Sequence, residues 1–269
     1  MHPSIADQTT DQLGGPLSVL VRQKEDHIRL HDLMGRLRGT GGEEQARVLL
    51  EIYRLVFPHA FAEESVLWPV MRRVLPDGDA LTLQVEQEHQ EVNELVRTLE
   101  KLPAGAPGRA DVLGRLTEVL DDDVRDEEDA LLPRLQARIS RRDLQVLGVL
   151  WELVRRIAPT RAHPVVARRP PGNVVAALPL SALDRARDVV DRALPGAPGK
   201  VTPVLHRAGS ALERASHAVE RLPVLRSGED PSTRSIPGRP PFPWGTVVVG
   251  AAAAGLVAAT IGSRRKEGP

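Results

Sequence analysis

A repeat within the first half constrains this chain more than any other feature. Residues 59–69 read His-Ala-Phe-Ala-Glu-Glu-Ser-Val-Leu-Trp-Pro, and residues 123–133 read Asp-Val-Arg-Asp-Glu-Glu-Asp-Ala-Leu-Leu-Pro. Positions 59/123, 63/127, 64/128, 67/131 and 69/133 therefore match at an offset of 64. Asp26-His27 and Glu88-His89 match at an offset of 62. The chain is thus a duplicated pair of elements, and each copy offers a histidine on its first element. His59, Glu63 and Leu67 are spaced by four, as are Asp123, Glu127 and Leu131, and residues four apart share one face of a helix.

Apolar periodicity predicts long helices over about 17–38, 43–75, 79–102 and 109–139. Glycines 39, 41 and 42 end the first, Pro76-Asp77-Gly78 the second, and Pro103 through Gly108 the third. Pro58 and Pro69 each remove a backbone donor and are expected to bend the second helix. Ser140-Arg-Arg-Asp143 has the form of a capping box, opening a fifth helix over 141–157. No stretch alternates well enough to be a strand. The expected class is all-α: an up-down-up-down four-helix bundle over 15–158, with the fifth helix covering one end or flank.

Beyond it the texture changes. Residues 159–180, rich in Arg, Pro and Val, read as a linker, and 181–222 as two amphipathic helices, 181–194 and 202–222. Arg207, Arg214 and Arg221 stripe the second, which suits an anionic membrane or a protein partner. Residues 223–243 contain six prolines and read as an extended tether. Gly245–Gly262 carries no charge and lies between Phe242/Trp244 and the basic cluster Arg264-Arg265-Lys266, so 244–263 is expected to be a single transmembrane helix tethering the bundle to a membrane. The opening MHPSIADQTTDQ has neither the basic nor the apolar region of a secretory signal, so the bundle is expected on the cytoplasmic side.

Composition narrows the chemistry. The chain of 269 residues has no cysteine, so any bound metal is held by nitrogen and oxygen. Aromatic residues make up 3%, too few for the stacking platforms of single-strand binding, and nucleic acid is not an expected partner. A formal net charge of zero hides two unlike halves: residues 1–159 hold 20 basic and 28 acidic residues, residues 160–269 hold 16 and 8.

In a four-helix bundle with pseudo-twofold symmetry, the stripes His59/Glu63 and Asp123/Glu127 face the axis together with His27 and His89. Carboxylates and imidazoles converging from four helices form a di-metal site. Glu63 and Glu127 occupy equivalent places and are candidates to bridge two metals. Glu64 and Glu128 lie about 100° further round and face outward or support the site. A ferritin-type centre needs two E-x-x-H elements, and this region has only Glu86-x-x-His89. Glutamate pairs on a solvated helix face are the bland alternative, which the register of His27 and His89 with the repeat argues against.

With D-H at 26–27, H-x-x-x-E-E-x-x-L-x-P at 59–69, E-H at 88–89 and D-x-x-x-E-E-x-x-L-x-P at 123–133, the chain resembles the hemerythrin-like proteins of the HHE cation-binding family over about residues 15–157. The resemblance implies two iron ions in an oxo- or hydroxo-bridged di-iron centre, with O2, peroxide or NO as the small ligand and, in some members, consumption of O2 or peroxide. His27, His59, Glu63, His89 and Glu127 match the family's ligands. Asp123 stands where the family usually has His; a shorter, anionic ligand favours ferric iron or leaves one metal site weak. His31, one turn from His27, is a further candidate, since hemerythrins use an H-x-x-x-H pair, although on the third helix, where this chain has His89 and Asn93. The alternative is a redox or oxygen sensor, or a scaffold with a degenerate metal site acting through protein or membrane contacts.

Overall fold

The computed structural model describes residues 3–235, and every regular element among them is helical. Helix α1 (Val19–Arg38) starts at Ser18, whose Oγ accepts from Leu20 N at 3.2 Å. It is followed by α2 (Gly42–Ala62), a π-helical turn (Glu63–Leu67) and α3 (Trp68–Val74). The second copy repeats the pattern: α4 (Gly78–Lys101), α5 (Arg109–Asp126), a π-helical turn (Glu127–Leu131) and α6 (Leu132–Gln136).

The two long helices expected over 43–75 and 109–139 are therefore each interrupted, at the same place in the repeat. Trp68 N–H donates to the Glu63 carbonyl and Leu132 N–H to the Glu127 carbonyl, five residues back instead of four. Pro69 and Pro133 follow directly. A proline has no N–H to give and clashes with the carbonyl four residues back, and the widened turn accommodates both problems. Pro58, by contrast, sits inside α2.

Helix α7 (Arg141–Ile157) has the expected capping box, with Ser140 Oγ accepting from Asp143 N and Asp143 closing on Ser140. It packs on α1 and α2. Its approach is so close that a Cβ on Gly148 would meet Leu17 O at 2.0 Å, so no other residue fits there.

The core of the bundle divides into two apolar clusters. One gathers Leu20, Leu67, Trp68, Met71, Leu132, Leu135, Leu147 and Trp151; the other Leu33, Met34, Ile52, Tyr53, Leu95, Val96, Leu116 and Leu120. On each of the four bundle segments the chemistry-bearing residues fall between the two sets: 26–27, 59–64, 88–89 and 123–128. The fold thus builds a polar layer sealed above and below by apolar side chains.

The C-terminal part corrects three expectations. The stretch expected as a linker, 159–180, is packed: Thr160, Arg161, Ala162 and His163 are buried, and α8 (Gly172–Ala193) starts nine residues before 181 and runs through Pro179. The backbone N–H groups of Thr160 and Arg161 donate to Asp184 Oδ2 at 2.9 and 3.0 Å, and the Arg161 guanidinium reaches Asp188 and Asp191, both at 2.5 Å. The acids one and two turns apart on α8 neutralise a basic stretch that has no periodicity of its own. Helix α9 (Thr202–Glu220) packs on α8 and leaves Arg207, Arg214 and Arg221 exposed. The start of the expected tether also folds back, with Leu225 buried and its carbonyl accepting from Ala167 N at 3.0 Å. The fold class loses its membrane element: among the described residues no helix is long and apolar enough to cross a bilayer, and segment 244–263, on which that expectation rested, lies outside them.

Candidate metal centre

Four segments supply the polar layer: Asp26 and His27 from α1, His59 with Glu63 and Glu64 from the end of α2 and its wide turn, Glu88 and His89 from α4, and Asp123 with Glu127 and Glu128 from α5 and the second wide turn. The three imidazoles are held alike. Nδ1 of His27 lies 2.9 Å from Glu128 Oε1, Nδ1 of His59 3.1 Å from Asp26 Oδ2, and Nδ1 of His89 3.0 Å from Glu64 Oε1. An ionised carboxylate can only accept, so Nδ1 donates in each case and Nε2 is left to face the layer.

The Nε2 atoms converge on three carboxylates. His27 Nε2 lies 3.2 Å from Glu127 Oε2 and His59 Nε2 3.1 Å from Glu63 Oε1, while His89 Nε2 lies 3.6 Å from both Glu63 Oε2 and Asp123 Oδ1. Two donor sets, His27/His59/Glu127 and Glu63/His89/Glu127, each have ligand atoms within 4.8 Å of one another. Glu127 belongs to both.

Free valences show that a cation fits. Both oxygens of Glu63, both of Glu127, Asp123 Oδ1 and His89 Nε2 are buried without a hydrogen-bond partner. Buried polar atoms nearly always have one, and a buried carboxylate lacking compensation costs several kcal/mol. Orphaned oxygens and a ring nitrogen converging in one layer are what a first-row transition ion with N/O ligands satisfies.

A second tier locks these groups. Arg155 of α7 pairs with Asp26 at 3.2 Å and lies over the Trp151 ring at 5.0 Å, and Trp151 meets His59 edge-on at 5.3 Å. Trp68 stacks near His89 at 6.5 Å. Beside the layer, a pocket lined by Leu30, Val56, Phe57, Val92 and Leu120 opens onto His59, His89 and Asp123.

Residues 19–135, which carry every imidazole and carboxylate of the layer, match the hemerythrin HHE cation binding domain. This segment is a hemerythrin-like domain. A hemerythrin-like protein of Schizosaccharomyces pombe is 26% identical over 135 residues, covering 50% of this chain and 66% of that one. A DNA nickase of a Nostoc species is 28% identical over 116 residues, 43% of this chain and 32% of that protein. The chain thus spans less than two thirds of each relative's length. No solved structure matches it.

Electrostatics of the hemerythrin-like layer follow from packing opposite charges in a dry space. Burial pulls His27 down, but the facing carboxylates of Glu127 and Glu128 outweigh it and lift it to about 9. Burial likewise opposes His89, which Asp123 and Glu64 raise to about 10. His59 is held well above its ordinary value against burial by Glu63 and Asp26. Burial and the neighbouring Glu127 push Asp123 far above the carboxylate range, and burial with Glu63 raises Glu127. Glu63 is lowered despite burial because His59 and His89 face it.

The expected ligands His27, His59, Glu63, His89, Asp123 and Glu127 come together. His31 does not: it is exposed, about 6 Å further along α1 and outside the layer. Glu64 and Glu128 take the supporting role, since each grips an imidazole of the other copy. Asp26 and Arg155 were not expected there. Asp26 carries a signal in its place beside His27; Arg155 carries none, because only the tertiary docking of α7 brings it in. His163, which has no partner at ligand spacing in the sequence, is buried between Asp184 and Glu220.

Proposed function

We propose that this hemerythrin-like domain holds two iron ions that share Glu127, and that the adjoining apolar pocket admits a small ligand such as O2, peroxide or NO. The set of buried, unpartnered donor atoms around three imidazoles anchored at Nδ1 carries this reading. His27 and His59 would hold one ion with Glu127; Glu63, His89 and Asp123 would hold the other. Iron bound there supplies an open position and two accessible oxidation states. The protein's own groups do the rest. Asp26, Glu64 and Glu128 fix the ring orientations, Leu30, Phe57, Val92 and Leu120 exclude water, and Asp123, which would give up its proton to the ion, would favour the higher charge on it.

The full chain, reconstituted with ferrous iron under anaerobic conditions and then oxidised, is expected to retain about two irons and to gain near-ultraviolet charge-transfer absorption. Added azide, a small-ligand probe, is expected to perturb that absorption. Stoichiometric zinc with no iron, or no metal at all, would overturn the proposal.

A further inference from the structure

Past residue 135, where the family match ends, the chain sends a guanidinium back to the metal layer. Arg168 is buried; its Nε and Nη2 donate to the Val166 carbonyl at 3.3 and 3.0 Å, and Nη2 also to the His163 carbonyl at 2.8 Å. That leaves Nη1 on the side of Glu64, 3.9 Å from Oε1, the same oxygen that grips His89 Nδ1 at 3.0 Å.

Two straps fix this approach. Asn173 Nδ2 donates to the Arg168 carbonyl at 3.2 Å and to Ser65 Oγ at 3.3 Å, tying the segment to the wide turn beside Glu64. His163 N donates to Asn93 Oδ1 at 2.9 Å, and Asn93 Nδ2 donates to the His89 carbonyl at 2.8 Å. Both straps end next to the residues that Arg168 addresses. The other half of the layer has the same arrangement, in which Arg155 backs Asp26, which holds His59.

We propose that Arg168 is a positioning residue for the metal centre, acting through Glu64 on His89, so that the segment beyond the family-matched bundle completes the site. A guanidinium beside a buried carboxylate attracts it and fixes its orientation, and Glu64 so held keeps the His89 ring turned so that Nε2 faces Glu63 and Asp123. The inference rests on the metal-site reading above.

The test uses the full chain loaded with cobalt(II), whose visible spectrum reports its ligands, and follows its loss to a chelator. Arg168→Met is expected to release cobalt about tenfold faster and to alter the spectrum, as loss of an outer-shell partner does. Arg168→Lys is expected to restore most of the retention. The double variant Arg168→Met/Glu64→Gln is expected to be no worse than Glu64→Gln alone, because both act on one path. Arg168→Gln, which keeps an amide donor near the Val166 carbonyl but loses the charge, gives the same test should Arg168→Met not fold. Arg169→Met is the control: Arg169 docks the same segment by holding Glu86 at 2.7 Å. Release unchanged in Arg168→Met, an equal effect of Arg169→Met, or additive losses in the double variant would overturn the proposal. A wild-type chain that binds no cobalt would overturn the metal-site reading itself.

Discussion

His89 and His163 are both buried among carboxylates, yet they stand in them differently. His163 uses both ring nitrogens, Nδ1 at 3.2 Å from Glu220 and Nε2 at 3.0 Å from Asp184. Asp184 also accepts from two backbone N–H groups, and Asp188 from Thr160 and Arg161. Among the described residues no oxygen of Asp184, Asp188 or Glu220 is left buried and unpartnered. This cluster fastens α8, α9 and the segment after Pro159. His89 uses Nδ1 alone, and the atoms facing its Nε2 have free valences. Burial does not tell the two apart, and neither does the upward pKa shift, to about 10 and about 9. Unfilled valences do. A network whose carboxylate oxygens are all satisfied is structure, and one with orphaned oxygens is a place for a cation.

Glu127, shared by both donor sets, is the place to break that contrast hardest. Iron should raise the melting temperature of the wild-type chain, and Glu127→Ala should lose both the iron and that rise. The metal-free variant should keep its fold, since a carboxylate crowded by Glu63 has been removed. His163→Ala should do the reverse, lowering the melting temperature with and without iron while leaving the metal count unchanged.

The fastener should respond to pH in a stated direction. Burial lowers the proton affinity of His163, but Asp184 and Glu220 outweigh it and raise its pKa to about 9. A pKa raised on folding stabilises fully below the unfolded value, about 6.5, and that stability is lost as pH rises through about 9. The contribution is on the order of 3 kcal/mol. Urea unfolding at pH 6 and pH 10 should show a loss of stability that is smaller in His163→Gln by an amount of this order. An identical pH dependence in the variant would mean that His163 is not the titrating fastener.

Within the metal layer the partners of the imidazoles rank next. Glu64→Ala and Glu128→Ala should each weaken cobalt retention by about tenfold, less than Glu63→Ala does. Glu64, at 1% exposure, should cost more than Glu128, at 15%. Equal losses in Glu63→Ala and Glu64→Ala would show that the wrong carboxylate had been assigned to the metal.

The smallest effect separates the two copies of the repeat. His59 is gripped by Asp26, but its counterpart Asp123 offers no ring nitrogen to Glu88, the counterpart of Asp26, whose Oε2 is buried without a partner. Burial holds Glu88 at about 7 despite its hydrogen bond from Gln84. Asp123→His should raise the reduction potential of the iron centre by removing one negative charge. Adding Glu88→Ala should then weaken metal binding only in the Asp123→His background. An unchanged potential would mean that Asp123 does not touch the metal.

Much of this was legible in the amino-acid sequence for physical reasons. A duplicated H/D-x-x-x-E-E stripe needs only helical spacing to place Glu63 and Glu127 together, and the capping box at Ser140 is a local signal. The wide turns were not legible: Pro69 promised a bend in the second helix, and only hydrogen bonding to the carbonyl five residues back decides its form. His31 satisfied a spacing rule and failed on its position along α1. The packing of 159–180 and the roles of Arg155 and Arg168 depend on contacts far apart in the chain, with Asp184 and Asp188 for the first and Asp26 and Glu64 for the others.

An anomalous difference map of the iron-loaded full chain, collected at the iron edge, tests the central claim most directly. The account predicts two peaks in the polar layer, one among His27, His59 and Glu127 and one among Glu63, His89 and Glu127, with none at His163. A layer without a peak, or a peak between Asp184 and Glu220 in its place, would contradict it.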